Sequence, residues 1–205
     1  KMIRLRMWST LSPLRQFGII PKDILHKIES KEQLTWNRLC ELNANQIGEI
    51  LKINKKNSEG IFKLVHTFPN IDLTANIQPL TRNCLLIELI VTPKFKWNSN
   101  YHKHSELFHI FVEDNDSEVI LHYETFILKQ SDFITESSTS SNDVAAPNEK
   151  HISFIVPLIE PTPPQYFIRV ISDNWLTCEK LLAIYFKQLV LPEKFPPYTN
   201  LLDLH

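Results

Sequence analysis

Six basic residues near the start of the chain, Arg4, Arg6, Arg15, Lys52, Lys55 and Lys56, are of the type and setting that could hold a polyanion. Residues 1–68 carry 12 Lys and Arg against 6 Asp and Glu, whereas residues 69–205 carry 10 against 17, so the chain divides into parts of +6 and −7. A nucleic-acid backbone requires such cations, because each neutralised phosphate releases counterions and adds salt-dependent affinity. The six are therefore candidate RNA-binding residues. The competing reading is that surface Lys and Arg only solvate the turns and helices that carry them.

Other groups offer weaker chemistry. Glu113-Asp-Asn-Asp-Ser-Glu118 presents oxygens that suit a hard cation, but calcium takes six to eight ligands. A hairpin turn, which Asp and Asn favour by mimicking backbone, explains the run more simply. His102 and His104, with His109 and His122, would form a zinc site only if strand pairing made them converge. Alternation places His109 and Phe111 on one face and Ile110 and Val112 on the other, so His109 reads as a solvated sheet residue. Ser153 or Cys178 as nucleophile would need a histidine base and an orienting carboxylate within reach, which spacing alone does not supply. Pro161-Thr-Pro-Pro164 lies between two strand candidates and reads as a rigid connection.

Nothing in the sequence cradles a nucleotide. GxxxxGK[ST], GxGxxG and HExxH are absent, and three glycines leave little for a phosphate loop. Cys40, Cys84 and Cys178 are odd in number and far apart, with no CxxC, so unpaired thiols in a reducing compartment are expected. No metal and no cofactor is expected in this chain. No apolar run approaches 18 residues and the first residues lack a signal-peptide plan, so a soluble, non-secreted chain without membrane contact is expected. The uncapped start at Lys1 and the Pro-rich end read as cut from something longer.

The elements that must position these residues fall into two kinds, because the hydrophobic 43% of the chain suffices for a core. An opening helix runs to the break at Ser12-Pro13. Helical patterns follow at 21–31, with Ile24, Leu25 and Ile28 in one stripe, and at 35–42, with Thr35 as N-cap. Asn43 and Gln46 form a capping box before Ile47, Ile50 and Leu51. Lys55-Lys56-Asn57-Ser58 reads as a polar turn before a last helix at 58–68, which Pro69 stops. From Ile71 the period becomes two, with strands at 71–77, 83–92, 107–113, 118–128, 151–157, 165–172 and 181–190. The fold class is α+β: a small helical module followed by a seven-stranded antiparallel sandwich of the immunoglobulin or fibronectin-III kind. The Ser-rich residues 131–149 read as a disordered hairpin insertion.

Several stretches, taken together, resemble the Sec-63-type unit of large two-cassette RNA helicases. They are Met7-Trp8, Ser12-Pro-Leu-Arg-Gln-Phe17, Leu42-Asn43 with Ile47-Gly-Glu49, Asp116-Ser-Glu-Val-Ile-Leu-His122, Pro163-Pro-Gln-Tyr-Phe-Ile-Arg-Val170, Ser172-Asp with Trp175-Leu, and Leu191-Pro-Glu-Lys with Leu201-Leu-Asp-Leu204. The likeness is to the first cassette of the spliceosomal branch, which unwinds paired small nuclear RNAs; the branch of the activating signal cointegrator complex is the runner-up. The resemblance implies that residues 1–12 are the last helix of a helical bundle, 13–68 a helix-loop-helix domain, and 69–205 a fibronectin-III-like sandwich ending in a strap toward a second cassette. It implies a nuclear, non-catalytic accessory unit, with ATP and magnesium held by absent RecA-like domains. The implied partners are small nuclear RNA, other domains of the parent helicase, and spliceosomal proteins such as the large snRNP scaffold. A stand-alone adaptor built on the sandwich is the reading from another class.

The purified chain should hydrolyse no ATP with or without RNA, since it has no phosphate loop and no magnesium-holding carboxylate motif. Phosphate release that co-elutes with the chain and rises with added RNA would contradict this reading.

Overall fold

The computed structural model describes residues 1–133, 149–159 and 163–186, which build an α+β fold of short helices followed by two antiparallel sheets. Helix α1 (Met2–Leu5) is a single turn. It does not run on to Ser12-Pro13, because Arg6 turns left-handed (φ 51°) and closes it, which brings Met7 into a buried position. Pro13 then opens a 3₁₀ turn, Pro13–Phe17, that the pattern did not predict and that Gly18 ends at φ 69°. Its role is to drive Leu14 and Phe17 into the core.

Helix α2 (Lys22–Glu29) buries Ile24, Leu25 and Ile28 as the stripe predicts. Thr35 caps α3 (Trp36–Glu41), its hydroxyl accepting from the Arg38 N–H at 3.4 Å. Before α4 (Ala44–Leu51), the Asn43 N–H donates to Gln46 Oε1 at 2.9 Å, one arm of the capping box. Helix α5 (Lys55–Thr67) corrects the sequence reading, because Lys55 to Ser58 are its first turn and not a polar loop. The signal was Asn54, whose side chain accepts from the Asn57 N–H at 2.9 Å. Ser58 is buried and donates to the Lys55 carbonyl at 3.0 Å. A Cβ on Gly48 would lie 3.2 Å from Ser58 Oγ, so glycine there lets α4 press against α5.

The strands are β1 (Ile71–Thr81), β2 (Cys84–Pro93), β3 (Ser105–Glu113), β4 (Ile120–Lys129), β5 (Lys150–Pro157), β6 (Gln165–Ser172) and β7 (Glu179–Tyr185). One sheet has the order β1-β2-β5 and the other β4-β3-β6-β7, every pair antiparallel. Alternation sends Leu85, Ile87, Leu89 and Val91 of β2, and Phe108, Ile110 and Val112 of β3, to full burial. The sheets meet where His122 of β4 stacks on Phe154 of β5, with centroids 4.6 Å apart. A short helix α6 (Ser99–His102), absent from the sequence reading, joins β2 to β3.

Of the segment expected to be an insertion, 131–149, the first three residues belong to a defined turn. A 3₁₀ turn, Gln130–Phe133, sets Phe133 4.9 Å from Phe95 and 5.1 Å from Trp97. The remainder of that expectation, 134–148, lies outside the described residues, as do the strap at 191–205 and the 187–190 end of the last strand candidate.

Helices and sheets share one core, closed by the loop between β6 and β7. Trp175 of that loop lies 5.1 Å from Phe17, 5.4 Å from Phe68 and 5.7 Å from His102. Its Nε1–H donates to Glu106 Oε1 at 2.9 Å, while Asn174 donates to the other carboxylate oxygen at 3.3 Å. Beside it, Gln16 makes a reciprocal pair with the Leu176 backbone, donating to its carbonyl at 2.9 Å and accepting from its N–H at 2.8 Å. Lys1 donates to the Ser172 carbonyl and Arg4 to that of Asn174. Aromatic pairs of this kind add about 0.5–1.5 kcal/mol each beyond the area they bury.

Replacing Trp175 by Ala should therefore cost about 3–5 kcal/mol. Trp175→Phe keeps the ring but strands the Glu106 oxygen, and should cost less, about 1–3 kcal/mol. Urea unfolding of the two variants measures both; losses under about 1 kcal/mol for both would show that the seam does not hold the halves together.

Candidate nucleic-acid interface

The six predicted basic residues do not form one cluster. Arg15 is committed inside the helical part, its Nε and Nη2 donating to the two Glu29 oxygens at 2.6 and 2.7 Å. That pairing holds the Glu29 carboxyl below its usual range. Arg4 is exposed but bonded at 3.2 Å to the Asn174 carbonyl, beside the seam. Arg6 is exposed at the left-handed end of α1. Lys52, Lys55 and Lys56 do come together at the corner between α4 and α5, all exposed. Lys52 is the left-handed C-cap of α4, and Lys55 lies 3.9 Å from Glu59 in a solvated ion pair that contributes little.

The other candidate chemistries disperse. Glu113 receives two bonds from Arg169 at 2.9 and 3.2 Å, and Asp114 accepts from the Glu118 and Val119 N–H groups as the head of a hairpin turn. Among the described residues, no group of three or more His, Cys, Asp or Glu could hold a metal ion. His109 sits on the outer sheet face between Tyr123 Oη at 2.9 Å and Asp173 Oδ1 at 3.1 Å, while His104 is exposed. His122 is taken up by Phe154 and, at 3.4 Å, by Glu124. Ser153 lies exposed on β5, and burial pushes the Cys178 thiol up to about 12, far from a reactive thiolate. The described helices include none long and apolar enough to cross a membrane.

His102 is the titratable group whose place the sequence reading leaves open. Only 1% exposed, it lies in the seam between Trp97, Phe95 and Trp175, away from the zinc cluster weighed for it with His104, His109 and His122. Its Nδ1 accepts from the Asn98 N–H at 3.0 Å, and its Nε2 turns toward the Thr67 carbonyl without reaching ordinary hydrogen-bond geometry. Burial lowers its pKa to about 4, so it stays neutral at ordinary pH. A buried aromatic neighbourhood built from residues far apart in sequence leaves no local signal that could have revealed this.

With this geometry in view, comparison with known proteins assigns the chain. The profile described as "Sec63 Brl domain" matches residues 1–185. The chain belongs to the Sec63 family. Over its whole length it is 48% identical to the U5 small nuclear ribonucleoprotein 200 kDa helicase of Homo sapiens, covering 9% of that protein. It is 46% identical to the DExH-box ATP-dependent RNA helicase DExH12 of Arabidopsis thaliana, again 9% of its length. The activating signal cointegrator 1 complex subunit 3-like protein of Dictyostelium discoideum is 41% identical and is covered to 8%. The chain thus spans less than a tenth of these relatives. A glycosyl hydrolase family 2 member from Bacteroides cellulosilyticus overlaps 57% of the chain and 15% of its own, at a TM-score of 0.37 and 11% identity, too distant to carry an argument.

The seam makes stability depend on pH with a definite sign. The pKa of His102 is depressed from 6.5 to about 4 in the folded chain. Below pH 6.5 the unfolded chain therefore takes up a proton that the folded one refuses, and stability falls as pH drops toward 4, by up to about 3 kcal/mol. Glu106, raised by its burial, works in the opposite direction, gaining stability as it protonates. His102→Asn, which keeps an acceptor for the Asn98 N–H, should flatten the decline between pH 6.5 and 4. Denaturant titrations at stepped pH measure this, and an unchanged slope in the variant would assign the decline to other groups.

Proposed function

We propose that this chain is the accessory Sec-63-type unit of an ATP-dependent RNA helicase of pre-mRNA splicing, working in the nucleus and doing no catalysis itself. The observation that carries the reading is the match of the entire chain, at 46 to 48% identity, to relatives named as a U5 snRNP helicase and a DExH-box RNA helicase. Residues 1–12 would close a helical bundle, 13–68 form the helix-loop-helix domain, and 69–205 the immunoglobulin- or fibronectin-III-like sandwich. ATP and magnesium belong to RecA-like domains elsewhere in the parent. The seam around Trp175 supports a mechanical role, because it welds the helical part to the sheets. A force on one part is thereby passed to the other without a hinge.

Within that unit the α4–α5 corner, with Lys52, Lys55 and Lys56, contacts the small nuclear RNA through its phosphates, and Arg4 and Arg6 add charge near α1. Arg15, paired with Glu29, contributes chiefly to the fold. The sandwich, with its excess of carboxylates, docks other domains of the parent and spliceosomal proteins such as the large snRNP scaffold. The Dictyostelium relative, at 41% over the whole chain, favours a second reading, in which the same unit serves a helicase of the activating signal cointegrator complex.

The test is a graft of this chain into the matching segment of the human relative, followed by ATP-dependent duplex unwinding. The graft should keep the rate within about tenfold, a change of about 1.4 kcal/mol in the barrier. In the isolated chain, single-stranded RNA should bind at about 10⁻⁴–10⁻⁶ M, and Lys52→Ala, Lys55→Ala and Lys56→Ala together should weaken binding and flatten its salt dependence. A graft that abolishes unwinding while folding normally would overturn the helicase assignment.

A further inference from the structure

Helix α5 has two faces of different kinds. Ile61, Leu64, Val65 and the buried Ser58 point into the core, the opposite face carries Lys56, Glu59 and Lys63, and Lys55, His66 and Phe62 flank it, Phe62 packed partly against the core. At the edge of that face Phe62 and His66, one helical turn apart, lie with ring centroids 4.2 Å apart and planes tilted by 40°, both half-buried, and His66 Nδ1 sits 3.0 Å from the Phe62 carbonyl oxygen. Lys56 and Lys63 are exposed two turns apart on the same side.

The line of cations does not stop at the end of the helix. Lys96 donates its N–H to the His66 carbonyl at 2.7 Å, and Lys94 donates to the Asn70 carbonyl at 2.8 Å. Phe95 between them is buried, so the two lysines beside it are both turned outward and exposed. These two belong to the acidic part of the sequence, yet the fold lays them against the C-terminal end of the basic helix. Among the described residues three carboxylates lie near this line, Glu149 being met by the Thr92 hydroxyl at 3.4 Å. Glu59 is shared with Lys55 at 3.9 Å, and Asp72 is taken by Lys180 at 3.0 Å.

We infer that the outer face of α5, continued by Lys94 and Lys96, is a track for single-stranded RNA. In it Lys56, Lys63 and Lys96 meet phosphates while the Phe62–His66 pair offers a ring for a base to stack on. The inference rests on the RNA role proposed above and deepens it. It extends the contact beyond the α4–α5 corner, adds a base-directed element, and brings the sheet-bearing part into the interface. Lysines alone would suit any polyanion. The ring pair among them selects a nucleic acid with unpaired bases, because every base has a face that stacks on an aromatic ring and a duplex hides that face. A helix of 13 residues is about 20 Å long, room for several successive nucleotides.

The experiment measures binding of the full chain to a U-rich single-stranded RNA and to an abasic oligonucleotide of equal charge, across a salt series. Lys63→Ala with Lys96→Ala removes two phosphate contacts and should make the log–log salt slope shallower by about 1.4 for both probes. His66→Ala should weaken the RNA by about fivefold or more while leaving the abasic probe unchanged, and His66→Phe, which keeps a ring, should restore the RNA. Circular dichroism confirms that each variant is folded. Lys22→Ala with Lys27→Ala, two exposed lysines on α2, should change little. If the Lys52, Lys55 and Lys56 changes weaken RNA but the Lys63, Lys96 and His66 changes do not, the track is wrong and the corner contact survives. No RNA binding by the unmodified chain would remove both. The track also falls if the Lys22 and Lys27 control loses as much as the Lys63 and Lys96 pair. It falls equally if polyglutamate competes as well as RNA at equal charge.

Discussion

The burial of Trp175 against Phe17 and Phe68 is the contact on which the architecture depends. A helical module of short helices, none beyond 13 residues, has little stability alone, since isolated helices of that length are marginal in water. It becomes part of a larger core because one loop of the sheet-bearing part presents a large ring to it. The indole N–H cannot enter that core without a partner, and the partner is Glu106, a carboxylate only 1% exposed. Burying a carboxylate is costly, and here its oxygens are met by Trp175 and Asn174. The arrangement fixes the angle at which the loop enters as well as its depth, which a purely apolar contact would not do.

This rigidity bears on the accessory role proposed for the chain. In the accessory role proposed above the unit contributes by geometry, and that geometry is useful only if the helical part and the sheets keep their relation. The reciprocal Gln16–Leu176 bonds and the contacts of Lys1 and Arg4 with the stretch from Ser172 to Asn174 brace the same junction from the opposite end of the sequence.

The strands were the most legible part of the fold, because Ile71-Asp-Leu-Thr and Leu107-Phe-His-Ile-Phe-Val112 alternate with a period of two that only a half-buried sheet requires. The caps at Thr35 and Asn43 were legible for the same local reason. Helix α5 was read three residues short, since Lys-Lys-Asn-Ser looks like a loop until Asn54 is recognised as its cap. The seam was not legible at all. Phe17, Phe68, His102 and Trp175 are brought together by topology, and nothing in the local pattern around any one of them names the others. The candidate site divided along the same line. Lys52, Lys55 and Lys56 are neighbours in sequence and could be grouped by inspection. Lys63, His66 and Lys96 meet only on the folded surface, and Lys96 had been counted with the acidic half because charge was summed along the chain and not across it.

The junction between Phe17, Phe68 and Trp175 also sets an order of events during synthesis. The helical module is synthesised first, whereas its covering loop is encoded more than a hundred residues later. At translation speeds of about 5–20 residues per second, the aromatic face would stand uncovered for about 5–20 seconds after Phe68 is made. During that interval Phe68 has Trp36 and then Phe17 has Tyr101 beside it, but the indole that closes the junction is missing. Slow codons between Phe68 and Trp175 would lengthen that vulnerable period without changing the finished fold.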